Sequence, residues 1–192
     1  GASKLCLEKL FTYADSQKRG KDIRFSVVRY ANVFGSKGSV VPLFLKKKSQ
    51  GWLPVTHPEM TRFSITMDDA LGLVYYAIAN GWGGEIVLPI SPSYKVGDVA
   101  TAVAPEAEQR IIGSRPGEKM HETMFTDIDA PYTVKRDQYY IICPITGTGN
   151  WNRDEYCKKT GAEPVADGFV YSSGTNTQWL SVTDLQKLLS VL

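Results

Sequence analysis

The chain has 192 residues, 43% of them hydrophobic and 22% charged, with a formal net charge of +2. That is long enough for one domain with a real core, or for a fragment of a larger one, and the composition is that of a soluble globular protein. So small a charge leaves no footprint for nucleic acid, and no apolar run has the length of a membrane span or the look of a signal peptide.

Helical and strand patterns alternate from the first residue to about Pro144. Gly1-Ala-Ser-Lys4 leads into Leu5, Leu7, Leu10, Phe11 and Ala14, a helix that ends in the polar stretch Ser16–Gly20. Ile23–Val28, apolar and rich in β-branched residues, reads as a buried strand. Between it and Val41-Pro-Leu-Phe-Leu45, the start of a helix with Pro42 near its beginning, lie Asn32, Gly35, Ser36, Lys37, Gly38 and Ser39. Loops at the carboxyl ends of strands are where open α/β sheets bind ligands, and they are equally where ordinary βα turns place their glycines. The basic run Lys46-Lys47-Lys48 reads as a solvated helix face.

Trp52 opens an extended segment that reaches Thr66. Thr66, with Asp69 three residues on, caps a helix over Met67–Asn80 whose core face is Ala70, Leu71, Val74, Ala77 and Ile78. Gly83-Gly84 ends it, and Glu85–Ile90 is the next strand. A short helix follows over Tyr94–Ala104, and then Ile111-Ile112 enters a charged turn, Gly113–Lys119. Glu118–Phe125 has a helical pattern and Gln138–Cys143 a strand pattern. From Pro144 to Trp151 the composition shifts to Thr, Gly and Asn, the best boundary in the chain. A last helix, capped by Ser181 with Asp184 three residues on, carries Leu185, Leu188 and Leu189.

Cys6, Cys143 and Cys157 are odd in number and unrelated in spacing, which makes neither a disulfide framework nor a metal site and fits a reducing compartment, the cytoplasm. His57 and His121 have no partner at metal spacing, and no Gly-x-Ser-x-Gly elbow marks a serine hydrolase. The Gly-x-Gly-x-x-Gly turn that opens a Rossmann fold is also absent. Groups able to hold an anionic, sugar-bearing ligand gather instead in four places: Gly1–Lys4, the Asn32–Ser39 loop, Thr61-Arg62, and Arg115–Lys119 with His121. The planar fork of arginine suits a diphosphate, and backbone N–H groups of a Gly/Ser loop add weaker anion contacts.

Gly1-Ala-Ser-Lys4 resembles the end of the Tyr-x-x-x-Lys motif of extended short-chain dehydrogenases/reductases. Ser26–Pro42, Pro58–Thr66 and Ile112–Glu122, in that order and spacing, resemble motifs of the 5-inverting UDP-N-acetylglucosamine 4,6-dehydratases within that superfamily. The resemblance covers residues 1–144 well and continues loosely through Tyr171-Ser-Ser-Gly-Thr-Asn and Trp179-Leu-Ser181. It implies an α/β fold, the C-terminal part of a Rossmann-type enzyme plus a smaller substrate-binding lobe. Residues 1–50 would be the second half of the dinucleotide-binding domain, 51–144 mainly the substrate lobe with returning Rossmann elements, and 145–192 a C-terminal extension.

The resemblance also assigns roles. Lys4 would be the motif lysine, binding the nicotinamide ribose of NADP and lowering the pKa of the catalytic tyrosine. Val33 would line the cofactor and Asn32 would hold the sugar. Lys37, Ser39 and Val40 would approach the UDP-sugar, while Thr61, Arg62, Arg115 and Glu118 would hold its diphosphate and uridine end. The family's reaction oxidises the sugar at C4, expels water across C5 and C6, and reprotonates C5 on the opposite face. The motif tyrosine and the glycine-rich loop are not in this sequence, so the expected partner is a complementary N-terminal half, with UDP-N-acetylglucosamine as ligand, homo-oligomers as the assembly, and no nucleic acid, membrane or metal. Without that half the chain is expected to be inactive and to expose the apolar faces of Val27-Val28 and Ile86–Leu88. Two alternatives stand beside this reading: a sugar-nucleotide epimerase or reductase of the same superfamily, and a non-catalytic UDP-sugar-binding or assembly module.

Overall fold

A computed structural model describes residues 2–145 and 151–192. In chain order come α1 (Ala2–Ser16), β1 (Val27–Val28), β2 (Asn32–Val33), α2 (Val40–Lys47), β3 (Trp52–Val55) and β4 (Thr61–Ile65). Next are α3 (Met67–Asn80), β5 (Ile86–Pro89), β6 (Ser93–Lys95), α4 (Val96–Val103), β7 (Glu108–Ile111) and β8 (Thr123–Phe125). The last are β9 (Thr133–Arg136), β10 (Tyr139–Ile142), α5 (Arg153–Thr160), β11 (Glu163–Pro164), β12 (Tyr171–Ser172) and α6 (Val182–Leu189). Gly1, and residues 146–150 of the Pro144–Trp151 boundary segment, lie outside the described residues. No helix among the described residues is long and apolar enough to cross a membrane.

These elements form two compact units that alternate along the chain. One comprises residues 1–30, 68–90 and 124–170, the other 31–67, 91–123 and 171–192.

The first unit is built on a mixed sheet in the order β1-β5-β10-β9-β11, with β1 parallel to β5 and the remaining pairs antiparallel. Its strands Ile-Val-Leu-Pro and Tyr-Tyr-Ile-Ile are apolar on both faces, as strands covered on both sides must be. Leu73 and Ala77 of α3 pack with Val87, Val134, Ile141, Trp151 and Tyr156 in the core. Ile86, Val87 and Leu88 are therefore buried and Val27 and Val28 half-buried, against the expectation of an exposed sheet: β10 pairs along the other side of β5, and α3 lies against it.

Many exposed apolar residues lie on helices instead. On α3 the buried positions are Ala70, Leu73 and Ala77, whereas Leu71 (49%), Val74 (36%) and Ile78 (75%) face outward. Both stripes repeat at helical spacing, so periodicity alone does not choose between them. On α1, Leu5, Leu7, Leu10 and Phe11 are exposed, while Glu8 and Asp15, two turns apart on one face, are buried. Each has a partner: Glu8 binds the Arg29 guanidinium, with Arg29 Nε at 2.8 Å, and Asp15 accepts from Phe25 N at 3.0 Å and from Lys18.

The second unit contains a three-stranded sheet, β2-β4-β6, and the parallel pair β3-β7. Helices α2, α4 and α6 close a core of Val41, Phe44, Leu53, Val55, Val99 and Leu185. The end of the chain is fixed by a full capping box: Ser181 Oγ accepts from Asp184 N at 3.2 Å while Asp184 Oδ2 accepts from Ser181 N at 3.1 Å. The predicted helix over Glu118–Phe125 does not form. Carbonyls of the segment accept from distant chain instead: Met120 O from Thr61 N at 2.9 Å, and Glu122 O from Ser173 N at 2.8 Å. Tertiary hydrogen bonds override the local pattern there.

Candidate functional site

The second unit holds a cavity of roughly 780 Å³, well within the range of small-molecule sites. One wall is the segment from Asn32 to Pro42, continued along α2 by Leu43 and Lys46. Two of its glycines take left-handed backbone, Gly35 at φ 75° and Gly38 at φ 83°. At Gly35 a side chain would also run into Leu192, whose Cδ2 lies 2.5 Å from the ideal Cβ position. Ser39 is the N-cap residue of α2, but its hydroxyl makes no cap bond; it is buried without a partner among the described residues.

The opposite wall comes from Pro54 and Thr56, from Arg62 and Tyr94 on β4 and β6, and from Ile112, Arg115 and Glu118. Arg115 and Glu118 are the ends of a tight turn, Glu118 N donating to Arg115 O at 3.0 Å. Its central residues are Pro116 and Gly117, the latter at φ 81°, which is the pairing a type II turn requires.

Arg62 is the most enclosed cation of the cavity, 9% exposed. Its guanidinium donates to Thr61 O at 2.7 Å, Met120 O at 3.3 Å and Glu118 Oε1 at 3.3 Å, and Nε lies 3.4 Å from Glu122 Oε1. Taking a cation out of water is tolerable only with such compensation. Lys37, Lys46 and Arg115 add three further positive groups, none of which has an ion-pair partner among the described residues. Four cations against the single carboxylate of Glu118, with apolar surface from Val33, Val40, Pro42 and Ile112 between them, suit an anion with an apolar or aromatic part. Tyr94 is buried, and burial pushes its phenol up to about 12, with nearby Glu122 acting in the same direction and Arg62 against it.

The cavity thus brings together Asn32, Val33, Lys37, Ser39, Val40, Arg62, Arg115 and Glu118. Thr61 is not on its wall. Strand alternation turns Thr61 away from Arg62, and its hydroxyl lies 2.8 Å from His121 Nδ1 and 2.7 Å from Ser173 Oγ. Ser173 Oγ in turn accepts from Glu122 N at 2.9 Å, so the segment after β12 fastens the stretch that carries Glu118 and Glu122 to β4. Lys4 belongs to the first unit, exposed in the first turn of α1 and without an ion-pair partner among the described residues. No group of three or more His, Cys, Asp or Glu side chains among the described residues could hold a metal ion.

Sequence reasoning missed Lys46, Tyr94 and Glu122. Lys46 stands one helical turn beyond Pro42, a spacing that shares a face, but the run of three lysines hid it. Tyr94 was placed inside a helix; it is the middle residue of β6, directly opposite Arg62.

Residues 1–144 match the family described as "Polysaccharide biosynthesis protein". The chain is 41% identical over 194 residues to the UDP-N-acetylglucosamine 4,6-dehydratase (inverting) of Campylobacter jejuni subsp. jejuni serotype O:23/36 (strain 81-176), covering 99% of this chain and 58% of that protein. It is 34% identical over 197 residues to the UDP-glucose 4-epimerase of Rickettsia canadensis (strain McKiel), covering 100% of this chain and 57% of that one. The crystal structure of Pen from Bacillus thuringiensis superposes with a TM-score of 0.84 at 29% identity, over 100% of this chain and 57% of that chain. The chain therefore spans a little under three fifths of the length of the relatives it matches.

Proposed function

Because the chain belongs to the polysaccharide biosynthesis protein family, we propose that it is the substrate-binding portion of an inverting UDP-N-acetylglucosamine 4,6-dehydratase, which makes a UDP-4-keto-6-deoxy-hexosamine for surface glycans or glycoproteins. The observation that carries this reading is the cavity of the second unit, where Arg62, Arg115, Lys37 and Lys46 surround an apolar floor of nucleotide-sugar size. The 41% identity to the Campylobacter jejuni dehydratase supports the reaction class.

In this reading Arg62 and Arg115 hold the diphosphate, because guanidinium forks match paired phosphate oxygens. Glu118 fixes the turn that presents Arg115 and accepts from the uridine end. Asn32 orients the sugar, with Lys37, Ser39 and Val40 closing over it. The cofactor would be NADP, which when bound would supply hydride transfer to and from the sugar. Two residues of this chain fit such a group: Lys4, a cation with no ion-pair partner among the described residues, and Val33, an apolar side chain at the end of β2. Lys4 binds the ribose and favours the ionised form of the tyrosine that the motif demands.

No glycine-rich dinucleotide loop and no motif tyrosine is present in these 192 residues, so activity requires a complementary N-terminal half. Residues 1–50 then belong with that half as the dinucleotide-binding part, 51–144 supply most of the substrate lobe, and 145–192 extend it. The assembly is a soluble homo-oligomer of the cytoplasm. The test is direct. The chain is combined with a polypeptide carrying the glycine-rich half, and UDP-N-acetylglucosamine is followed by mass spectrometry for loss of one water. Dehydration by the pair and not by the chain alone supports the reading; full turnover by the chain alone overturns the need for a partner. The match to a UDP-glucose 4-epimerase over the whole chain favours one second reading, an epimerase, which inverts C4 and leaves the mass of the sugar unchanged.

A further inference from the structure

Arg62 of β4 and Tyr94 of β6 are register partners in an antiparallel pair, so their side chains rise from the same face of the sheet. Both line the cavity. Tyr94 is only 5% exposed, and its ring is set edge-on to Phe34, centroids 6.4 Å apart at 90°. Its position is therefore fixed by packing. Its hydroxyl has no hydrogen-bond partner among the described residues, and it is not one of the fully buried polar atoms left without a partner, so it opens on the cavity. A ligand in the cavity can take the hydrogen bond that water otherwise makes there.

We propose that Tyr94 is a ligand-binding residue, its hydroxyl donating to a phosphate oxygen of a nucleoside diphosphate held beside the Arg62 guanidinium. This rests on the nucleotide-sugar reading above and assigns that site a contact of its own. The anion is chosen by the surroundings: the directly opposed side chain is a cation, and Arg115 and Lys37 share the cavity. Burial keeps the phenol protonated, hence a donor, through the whole range in which enzymes work.

The experiment is calorimetric titration of the 192-residue chain and its Tyr94→Phe variant with UDP and with uridine, which carries no phosphate. A charged hydrogen bond lost from a buried site weakens UDP binding roughly 10- to 100-fold, and uridine binding stays as it was. Equal UDP affinity in the two proteins overturns the inference while leaving the nucleotide-sugar reading intact. A loss of the same factor for uridine also overturns it, since the phosphate is then not the partner. If the unsubstituted chain binds neither compound, the nucleotide-sugar reading falls and this contact with it. Should Tyr94→Phe melt early, Tyr94→Leu is titrated in its place, and the same outcomes decide.

Discussion

Glu118 and Arg62 share a 3.3 Å hydrogen bond on the cavity wall, while the second oxygen of Glu118 accepts from the backbone N–H of Arg115 at 3.2 Å. One carboxylate thus braces two cationic residues of the cavity and partly neutralises one of them. In Glu118→Gln the amide oxygen keeps one of these two bonds, and the charge is lost. Inorganic pyrophosphate is then expected to bind about two- to fivefold more tightly, the scale of a partly exposed ion pair. Unchanged or weaker pyrophosphate binding, read by calorimetry at low salt, would count against this role.

Arg62 itself cannot be replaced by lysine. The guanidinium serves backbone acceptors and two carboxylates at once, a geometry that a single ammonium cannot span. Arg62→Lys is expected to weaken UDP binding about 10- to 100-fold and to lower stability by roughly 1–3 kcal/mol. Urea titration and calorimetry on one preparation measure both.

Ser173 has zero exposure and joins three groups: it lies 2.7 Å from Thr61 Oγ1, donates to Thr61 O at 3.2 Å and accepts from Glu122 N at 2.9 Å. Ser173→Ala strands buried polar atoms, at a cost of about 1–3 kcal/mol. The denaturation midpoint should fall while the slope stays constant.

How far the sequence revealed this site can be read from these residues. The turn at Arg115–Glu118 was visible because Pro-Gly has a narrow set of conformations, and the loop over Asn32–Ser39 because its glycines sit between a strand and a helix start. Tyr94 and Glu122 were invisible, since what matters is the strand register that faces one to Arg62 and the 3.4 Å approach that brings the other there. Register and long-range bonds, such as those from Thr61 N to Met120 O and from Ser173 N to Glu122 O, have no local signature. On α3 the sequence offers two apolar stripes, and only packing against β5 and β10 chooses the one with Leu73.

In the first unit, Glu85 is 2% exposed, hydrogen-bonded to Ser26 Oγ and accepting from Trp82 N at 3.0 Å and Gly83 N at 2.7 Å. Desolvation outweighs these donors and raises its pKa from the usual 4.5. A carboxyl whose folded pKa is raised contributes stability that is complete below the unfolded value and is lost as pH climbs through the folded one. Glu85→Gln removes that titration. The stability of the native protein relative to Glu85→Gln is therefore expected to decline from pH 4.5 upward, and a difference independent of pH would refute the assignment.

The cysteines provide a solution check on burial. Cys6 is exposed, Cys157 half-buried with its thiol raised by burial, and Cys143 2% exposed with its thiol pushed up to about 12. Only the thiolate reacts, so a thiol reagent at pH 8 should modify Cys6 first, Cys157 more slowly, and Cys143 only after denaturation. Peptide mapping of a time course reads the order.

The alternation of the two units along the chain bears on biosynthesis. The core of the second unit joins Val41 and Phe44 to Leu185, so its first and last segments must meet before the cavity has a stable wall. A polypeptide emerging from the ribosome can begin neither unit and finish it before the other has started. The Arg62 pocket therefore gains that wall only once α6 has emerged. Ribosome-bound chains stalled ahead of residue 185 should be open to protease between Ala31 and Met67, where released chains resist.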